Sequence, residues 1–323
     1  AALGTVAACV YVGLTLAPAI GGYLTQWLGW RSVFYFQLPL IAGLLVFVYR
    51  YLDGEWQNDE RTPFDWVGAG LFIIFATGLV YGLSELPSLL GWVLLTGSVI
   101  SLIGFIMHQR YIDAPLIRVQ MFSESRVFSL SLSTALLMYG SNFAIVFLLS
   151  LYLQFIRGFD PAQTGQILLL QALCMAIIAP FAGKLADRFE PRIVATVGCM
   201  IVAAGFISLV QIDLATSAMH IGAALALIGV GFGLFSTPNN SAIMGAVKTQ
   251  EVGVASASMN LARTIGNLIG MSLVNLMIHY YIGDASFSAQ TNDELMQTIS
   301  LALFMSLSFV LVACVLSSLR GKQ

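Results

Sequence analysis

Arg263 is the residue of this sequence whose type and position best suit it for chemistry. It lies about eleven residues into an apolar run that begins near Val252. At 1.5 Å of rise per residue it is roughly 16 Å deep, near the middle of a membrane core ~30 Å thick. A lone arginine at this depth is costly unless it has a partner or lines a wet cavity. We therefore expect a functional role, the alternative being a structural one in which Arg263 bonds carbonyl groups and Asn260 or Asn267.

A carboxylate that could pair with this cation is not evident in the sequence. None of the 16 acidic residues lies near the centre of an apolar run, and Asp65, Glu85 and Asp213 lie at the ends of runs. Proton antiport needs a carboxylate that is alternately protonated and accessible from each side, with its pKa tuned by burial and by a nearby positive charge. We expect no such coupling carboxylate in this chain.

Polar, aromatic and methionine side chains within the apolar runs are candidates for lining a cavity. Polar groups at membrane depth tend to face the protein interior, and methionine with aromatic residues suits variable apolar ligands. For each candidate, ordinary helix packing is the alternative. The candidates are Tyr139, Asn142, Phe143, Gln171, Met175, Phe232, Phe235, Asn239, Arg263 and Asn267.

Enzyme, metal and cofactor chemistry are not expected. The sequence contains no G-x-S-x-G, no H-E-x-x-H and no phosphate-binding glycine loop after a strand. Its four cysteines lie inside apolar runs, with no metal-like spacing to one another or to the three histidines. The net charge of -2 excludes a nucleic-acid binder.

The elements that must position these residues are membrane-spanning helices. Of the 323 residues, 58% are hydrophobic and only 9% are charged, with a mean hydropathy of +0.87. So few charges cannot cover the surface of a water-soluble globule. Ten apolar runs have the length that a spanning helix needs, and none shows the alternation of a membrane barrel. They are residues 1–24, 32–50, 66–84, 91–108, 127–155, 162–182, 193–211, 218–240, 253–279 and 298–318.

The distribution of basic residues predicts the orientation of these helices. If the loop at 25–31 is outside, eleven of the 14 basic residues fall on the inner side, two fall outside, and Arg263 lies within a span. Cytoplasmic loops accumulate positive charge, so a cytoplasmic C-terminus is predicted. The chain begins with Ala1 and Ala2 inside an apolar run, so we expect an even number of preceding helices to be missing.

The first run contains a regular pattern of small residues. Gly13, Ala17 and Gly21 recur every fourth position, which lines one helix face and permits a close helix crossing. Pro18 removes a backbone hydrogen bond and bends the outer half, and Gly22 follows. A generic packing helix is the alternative.

This pattern resembles the antiporter signature of the major facilitator superfamily, with Ala17 in place of the middle glycine. The segment 29–39, GWRSVFYFQLP, is similar to a W-R-W-x-F-x-x-N-x-P stretch of its fourteen-helix drug:proton antiporter branch, with Gln37 in place of asparagine. The stretches 63–68, 108–122, 152–154 and 253–266 resemble other parts of that branch.

A second signature lies in the loop 183–192. It resembles the cytoplasmic G-x-L-A-D-R-x-G-R-R loop of the superfamily, with Glu190-Pro191 in place of Gly-Arg. In the family, the acid of this loop is thought to hold one half of the protein against the other in the outward-open state. The resemblance thus implies gating roles for Gly183, Asp187, Arg188 and Arg192, the alternative being a solvated basic loop.

The resemblance implies an all-α polytopic membrane protein of which this chain holds helices five to fourteen. Residues 1–50 would be the last two helices of the N-terminal six-helix half, residues 51–126 linkers and two inserted helices, and residues 127–323 the C-terminal six-helix half.

The implied function is multidrug efflux by proton antiport across the bacterial inner membrane, with the proton gradient as the energy source and no cofactor. The implied partners are the lipid bilayer, a small lipophilic substrate, protons, and a periplasmic adaptor with an outer-membrane channel. The chain alone is not expected to transport. Two alternatives stay open, namely a facilitator or importer of organic anions that uses Arg263, and a membrane scaffold or sensor that does not transport.

Overall fold

The structure is a computed structural model that describes residues 13, 20–21, 24, 27–29, 31–51, 64–113, 115–248, 251–283 and 292–321. Most of the predicted span 1–24 is outside this set, including Ala17, Pro18 and Gly22 of the proposed antiporter signature. Gly13 and Gly21 are described as helical. A Cβ atom at either glycine would meet none of the described residues within 4 Å.

From residue 31 onward, the described part of the chain folds into ten helices and one π-helical turn. Nine of these helices are long and apolar enough to cross a membrane. The helices are α1 Ser32–Tyr51, α2 Trp66–Ser84, α3 Leu89–Tyr111, α4 Gln120–Glu124, α5 Arg126–Leu151, α6 Pro161–Ala186, α7 Pro191–Val210, α8 Ala218–Gly245, α9 Val252–Tyr281 and α10 Asn292–Leu319, and the π turn at the end of α5 is Tyr152–Ile156.

The predicted spans from residue 32 onward are confirmed as helices. Several begin where a capping residue satisfies a free backbone N–H, which fixes the start of the helix locally. The caps whose side chains accept these bonds are Asp65, Ser88, Ser125, Asp160 and Ser217. The largest difference is at α10, which begins at Asn292 rather than 298. Asp293 and Glu294 lie in its first turn, where the helix dipole favours negative charge.

Helices α5 to α10 pack into one bundle. Helix α8 packs against α6 and α7, α5 packs against α9 and α10, and α7 packs against α10. Fully buried side chains at the centre include Leu148, Phe206, Phe232 and Phe235. Helices α2 and α3 form a hairpin that also contacts α9, whereas no residue of α1 is buried.

Glycines permit a close crossing of helices α5 and α9 in the bundle. A Cβ atom at Gly140 would lie 2.8 Å from the carbonyl oxygen of Gly266. A Cβ atom at Gly266 would meet the carbonyl oxygen of Leu136, and one at Gly270 would meet that of Gly140. Small residues four apart thus let the two backbones touch, as is common where helices pack in membranes.

Candidate functional site

Arg263 lies on α9 with its guanidinium group against an aromatic ring of α5. The guanidinium carbon is 4.6 Å from the centroid of the Tyr139 ring, a distance at which a cation is attracted to the π face. The Nε atom of Arg263 is buried and has no hydrogen-bond partner. Within the described ranges, no carboxylate forms an ion pair with Arg263. Arg263 therefore has the Tyr139 ring as a partner, and its Nε–H group donates no hydrogen bond among the described residues.

The ring of Tyr139 extends this contact to a third helix. Its centroid lies 5.1 Å from that of Phe232 on α8, and Phe232 lies 5.8 Å from Phe235, both pairs in edge-to-face orientation. Phe232 and Phe235 are completely packed, with 1% and 0% of their surface exposed. The structure thus brings Arg263, Tyr139 and Phe232 together, while Phe235 lies behind them in the core.

A second polar contact joins α5 to α6. The Nε2 amide of Gln171 donates a hydrogen bond to Oδ1 of Asn142, which lies three residues after Tyr139. Gln171 is 3% exposed, and its Oε1 atom is buried without a hydrogen-bond partner. Met175 is buried one turn further along α6. An unpaired acceptor on Gln171 and an unpaired donor on Arg263 are both uncommon in a folded interior.

Other predicted cavity residues lie elsewhere or take no part in these contacts. Phe143 is 46% exposed. Asn267 is half-buried one turn after Arg263. The structural alternative for Arg263 finds no support in the part of the chain that the structure describes, because Arg263 makes no hydrogen bond there to a carbonyl group, to Asn260 or to Asn267.

Asn239 belongs to a different site, formed by Arg320. The Nη1 group of Arg320 donates to Oδ1 of Asn239 at 2.8 Å and to Oγ of Ser131 at 3.2 Å, and Nη2 donates to the carbonyl of Pro191 at 2.9 Å. The amide of Asn239 in turn donates to the Ser131 carbonyl at 3.2 Å. Asn239 therefore forms part of a structural cluster of hydrogen bonds. Its position in an apolar run did not indicate this role.

Arg320 was counted in the sequence only as one of the basic residues of the inner side, and the structure shows that it is buried. Only 1% of its surface is exposed. Burial lowers the pKa of Arg320 to about 10, so the side chain still carries its charge at neutral pH. The sequence offered one weak signal, since Arg320 lies only two residues after the last predicted apolar run.

The predicted gating loop has an exposed centre. Asp187 caps the C-terminal end of α6, where its backbone N–H donates to the Gly183 carbonyl at 3.1 Å. The side chains of Asp187 and Arg188 are exposed, and the described residues offer them no ion pair. Arg192 pairs with Glu190 at 3.4 Å. A role of Asp187 and Arg188 in gating stays a prediction.

The fold and the site together define a polytopic α-helical membrane protein with a charged residue in the middle of a spanning helix. The family model of the Major Facilitator Superfamily matches residues 1–271. The chain belongs to this superfamily, whose members are transporters rather than enzymes.

Curated relatives agree with this assignment. The chain is 29% identical to the multidrug resistance protein Stp of Mycobacterium tuberculosis, over 86% of this chain and 52% of Stp. It is 30% identical to the uncharacterized transporter YebQ of Escherichia coli, over 97% of this chain and 66% of YebQ. It is 24% identical to the riboflavin transporter RibZ of Clostridioides difficile, over 83% of this chain and 59% of RibZ. The chain thus spans between half and two thirds of the length of these relatives.

Proposed function

We propose that this chain is part of a secondary transporter that exports lipophilic or cationic compounds in exchange for protons. The observation that carries the proposal is Arg263, a cation in the middle of a spanning helix whose Nε donor is buried and unused. Relatives named for multidrug resistance or drug efflux support the choice of substrate class. The proton gradient is the energy source, and no cofactor is required.

The role that we assign to Arg263 is electrostatic. A positive charge in a low-dielectric interior lowers the pKa of a carboxylate brought close to it and so favours release of the proton. The coupling carboxylate is not among the residues near Arg263 that the structure describes. This chain covers only part of the length of its relatives, and we propose that the coupling carboxylate lies in a part of the complete protein that this chain does not cover. When this carboxylate is protonated, Arg263 returns to the Tyr139 ring.

The substrate would be held beside this cation by the surrounding side chains. Tyr139 offers the edge and face of an aromatic ring, and Asn142 with Gln171 offers an amide pair that has one free acceptor. A few polar groups in an otherwise apolar wall suit ligands that are bound mainly by apolar contact. This combination favours compounds that are largely lipophilic and carry one or two hydrogen-bonding groups.

We place the protein in the bacterial inner membrane, with its C-terminus in the cytoplasm. Most basic residues then lie on the cytoplasmic side, as the positive-inside rule requires. The bilayer is then its first partner. A periplasmic adaptor and an outer-membrane channel are further candidates, which co-purification of the protein from cross-linked membranes would test.

The test is efflux of a fluorescent lipophilic cation from proteoliposomes that hold the protein expressed from its complete gene. We expect efflux to require an inward proton gradient and to fall at least about tenfold in Arg263→Ala, with partial activity in Arg263→Lys, which keeps the charge. Arg126→Ala, which removes an exposed arginine at the start of α5, is the control and should transport normally. Efflux that ignores the gradient while the dye still binds would refute proton antiport.

A second candidate is a facilitator or importer of organic anions. It is favoured by the same unpaired cation, because Arg263 could bind the substrate's negative charge directly. One relative is named a riboflavin transporter, so drug export is not the one activity that the names of the relatives state. Uptake of a fluorescent organic anion that is independent of the pH gradient, and is lost in Arg263→Ala, would favour this candidate. Loss of both activities with the fold intact would favour a scaffold or sensor.

A further inference from the structure

The hairpin α2–α3 is held together by a buried carboxylate at its open end. Asp65, which is 5% exposed, accepts a hydrogen bond on Oδ1 from the backbone N–H of Gly68 at 2.8 Å. The same oxygen lies 2.8 Å from Nε2 of His108, and Oδ2 accepts from Nε2 of Gln109 at 2.6 Å. Asp65 thereby joins the first turn of α2 to the last turn of α3, across more than 40 residues of sequence.

Asp65 is ionised in this arrangement. Burial raises the pKa of Asp65, but the hydrogen bonds from Gly68, His108 and Gln109 outweigh burial and hold it below its ordinary value of 3.8. A carboxylate that accepts three bonds is well satisfied at neutral pH. Asp65 can therefore act as an acceptor for all three partners at neutral pH.

Gly68 is required by this geometry. A Cβ atom at residue 68 would collide with Oδ2 of Asp65 and Nε2 of Gln109, the atoms that form the contact. At Gly70, two residues along the same helix, a Cβ atom would meet nothing within 4 Å. Asp65 and Gly68 thus pack together with Gln109 in one cluster.

The cluster extends from the hairpin into the linker that follows it. The other end of the Gln109 amide, Oε1, accepts a hydrogen bond from the backbone N–H of Ile117 at 3.2 Å. The next residue, Arg118, places Nη1 at 2.5 Å from Oε1 of Glu251, and Nη2 lies 3.3 Å from Oε2 of Glu124. Glu251 directly precedes α9, and its side chain is 16% exposed. A continuous set of polar contacts therefore runs from Asp65 to the residue that directly precedes the helix bearing Arg263.

We infer that these contacts lock the hairpin to the bundle and position the start of α9, with Asp65 as the central positioning residue. We call the set Asp65, Gly68, Gln109, Arg118 and Glu251 the hairpin lock. The hairpin is then a fixed support of α9, and residues 115–119 of the linker are docked against the hairpin and the start of α9. This inference concerns the assembly of the chain and does not rest on the transport activity proposed above.

Limited trypsin digestion of the purified protein in lipid nanodiscs tests the lock, because cleavage after Arg118 requires the linker to leave its docked position. Proteolysis of a transiently opened segment follows the population of the open form. We expect Gly68→Ala to raise the rate of cleavage after Arg118 about tenfold, since it separates Asp65 from Gln109 without changing any charge. Gly70→Ala is the matched control and should be cleaved at the wild-type rate.

A second variant tests the far end of the lock without touching the hairpin. Glu251→Gln removes the charge that Arg118 binds, and we expect it also to accelerate cleavage after Arg118. Because both changes open the same segment, the double variant should be cleaved much less rapidly than the product of the two single effects predicts. Asp113→Asn, an exposed carboxylate of the same linker, should have no effect.

Two measurements check that each variant is folded. It should elute as a single species in size-exclusion chromatography, and its thermal unfolding midpoint is compared with that of the wild type. If Gly68→Ala and Glu251→Gln fold and are cleaved at the wild-type rate, the lock is refuted. If Gly68→Ala does not fold, Glu251→Gln alone decides the question. Multiplicative rates in the double variant would show that the two ends act independently and would overturn the proposed continuity.

Discussion

Replacement of Arg320 by methionine tests whether a buried cation holds one end of the bundle together. Arg320 donates to α5 through Ser131, to α8 through Asn239 and to the start of α7 through Pro191. It does so from a position that is 1% exposed, at the end of α10. Methionine keeps most of the length of the side chain and its apolar contacts but removes every donor. The change therefore isolates the polar contribution of Arg320.

The magnitude follows from the acceptors that the substitution leaves behind. The oxygen of a buried amide that loses its donor costs about 1–3 kcal/mol. The hydroxyl of Ser131 can turn to another acceptor, so Asn239 carries most of this cost. Removing a buried charge offsets part of the loss, because the arginine no longer has to be desolvated. We expect a net destabilisation of about 2 kcal/mol, which lowers the thermal unfolding midpoint by ~4–8 °C for a unit of this size.

The assay is thermal unfolding in detergent, followed by intrinsic fluorescence at pH 7. Arg126→Met is the control, because Arg126 is exposed at the start of α5 and contributes less than about 0.5 kcal/mol. Asn239→Leu should lower the midpoint in the wild-type background and have a much smaller effect in Arg320→Met, since its partner is already absent. Equal midpoints for Arg320→Met and Arg126→Met would refute the reasoning, as would fully additive effects of Arg320→Met and Asn239→Leu.

Two further predictions concern helix packing and acid stability. Gly266→Ala should destabilise the bundle by about 1–3 kcal/mol, because the added methyl group meets the Leu136 carbonyl. Gly253→Ala is the control, because its methyl group would meet no described residue within 4 Å. A lower unfolding midpoint in detergent for Gly266→Ala than for Gly253→Ala confirms the prediction, and equal midpoints contradict it. Hydrogen bonds from Thr216 and Ala215 lower the pKa of Asp213 below 3.8, so this carboxylate stabilises the fold above pH 3.8 and loses that effect as the pH falls further. The difference in midpoint between the wild type and Asp213→Ala should therefore shrink below pH 3.8, and a constant difference down to pH 2.5 would contradict the assignment.

The spans were predictable because the signal for each is distributed over about 20 residues. A run of that length tolerates several polar residues, and the ends of α2, α7 and α8 lie within a few positions of the predicted ones. The proximity of Arg263, Tyr139 and Phe232 was partly predictable. Their depth in the spans could be read from the sequence, but their facing directions depend on how α5, α8 and α9 are rotated in the bundle.

The two polar clusters away from Arg263 were not predictable in the same way. Asp65 was recognised as the end of a run, but its partners His108 and Gln109 lie more than 40 residues away and belong to another helix end. Arg320 resembled any basic residue after a last helix, and Asn239 resembled any polar residue in a span. Whether such a residue turns to solvent or into the bundle depends on acceptors that the fold supplies, here Ser131 and Pro191.

Helix packing and the candidate site are linked through the crossing of α5 and α9. Gly140 follows Tyr139 directly, and Gly266 lies three residues after Arg263, so the glycine contact is within one turn of the contact between the cation and the ring. A methyl group at Gly266 that separates the backbones must also move Arg263 away from Tyr139. Loss of stability in Gly266→Ala should therefore be accompanied by loss of any function that depends on Arg263. Unchanged function in a destabilised Gly266→Ala would show that the position of Arg263 against Tyr139 is not required.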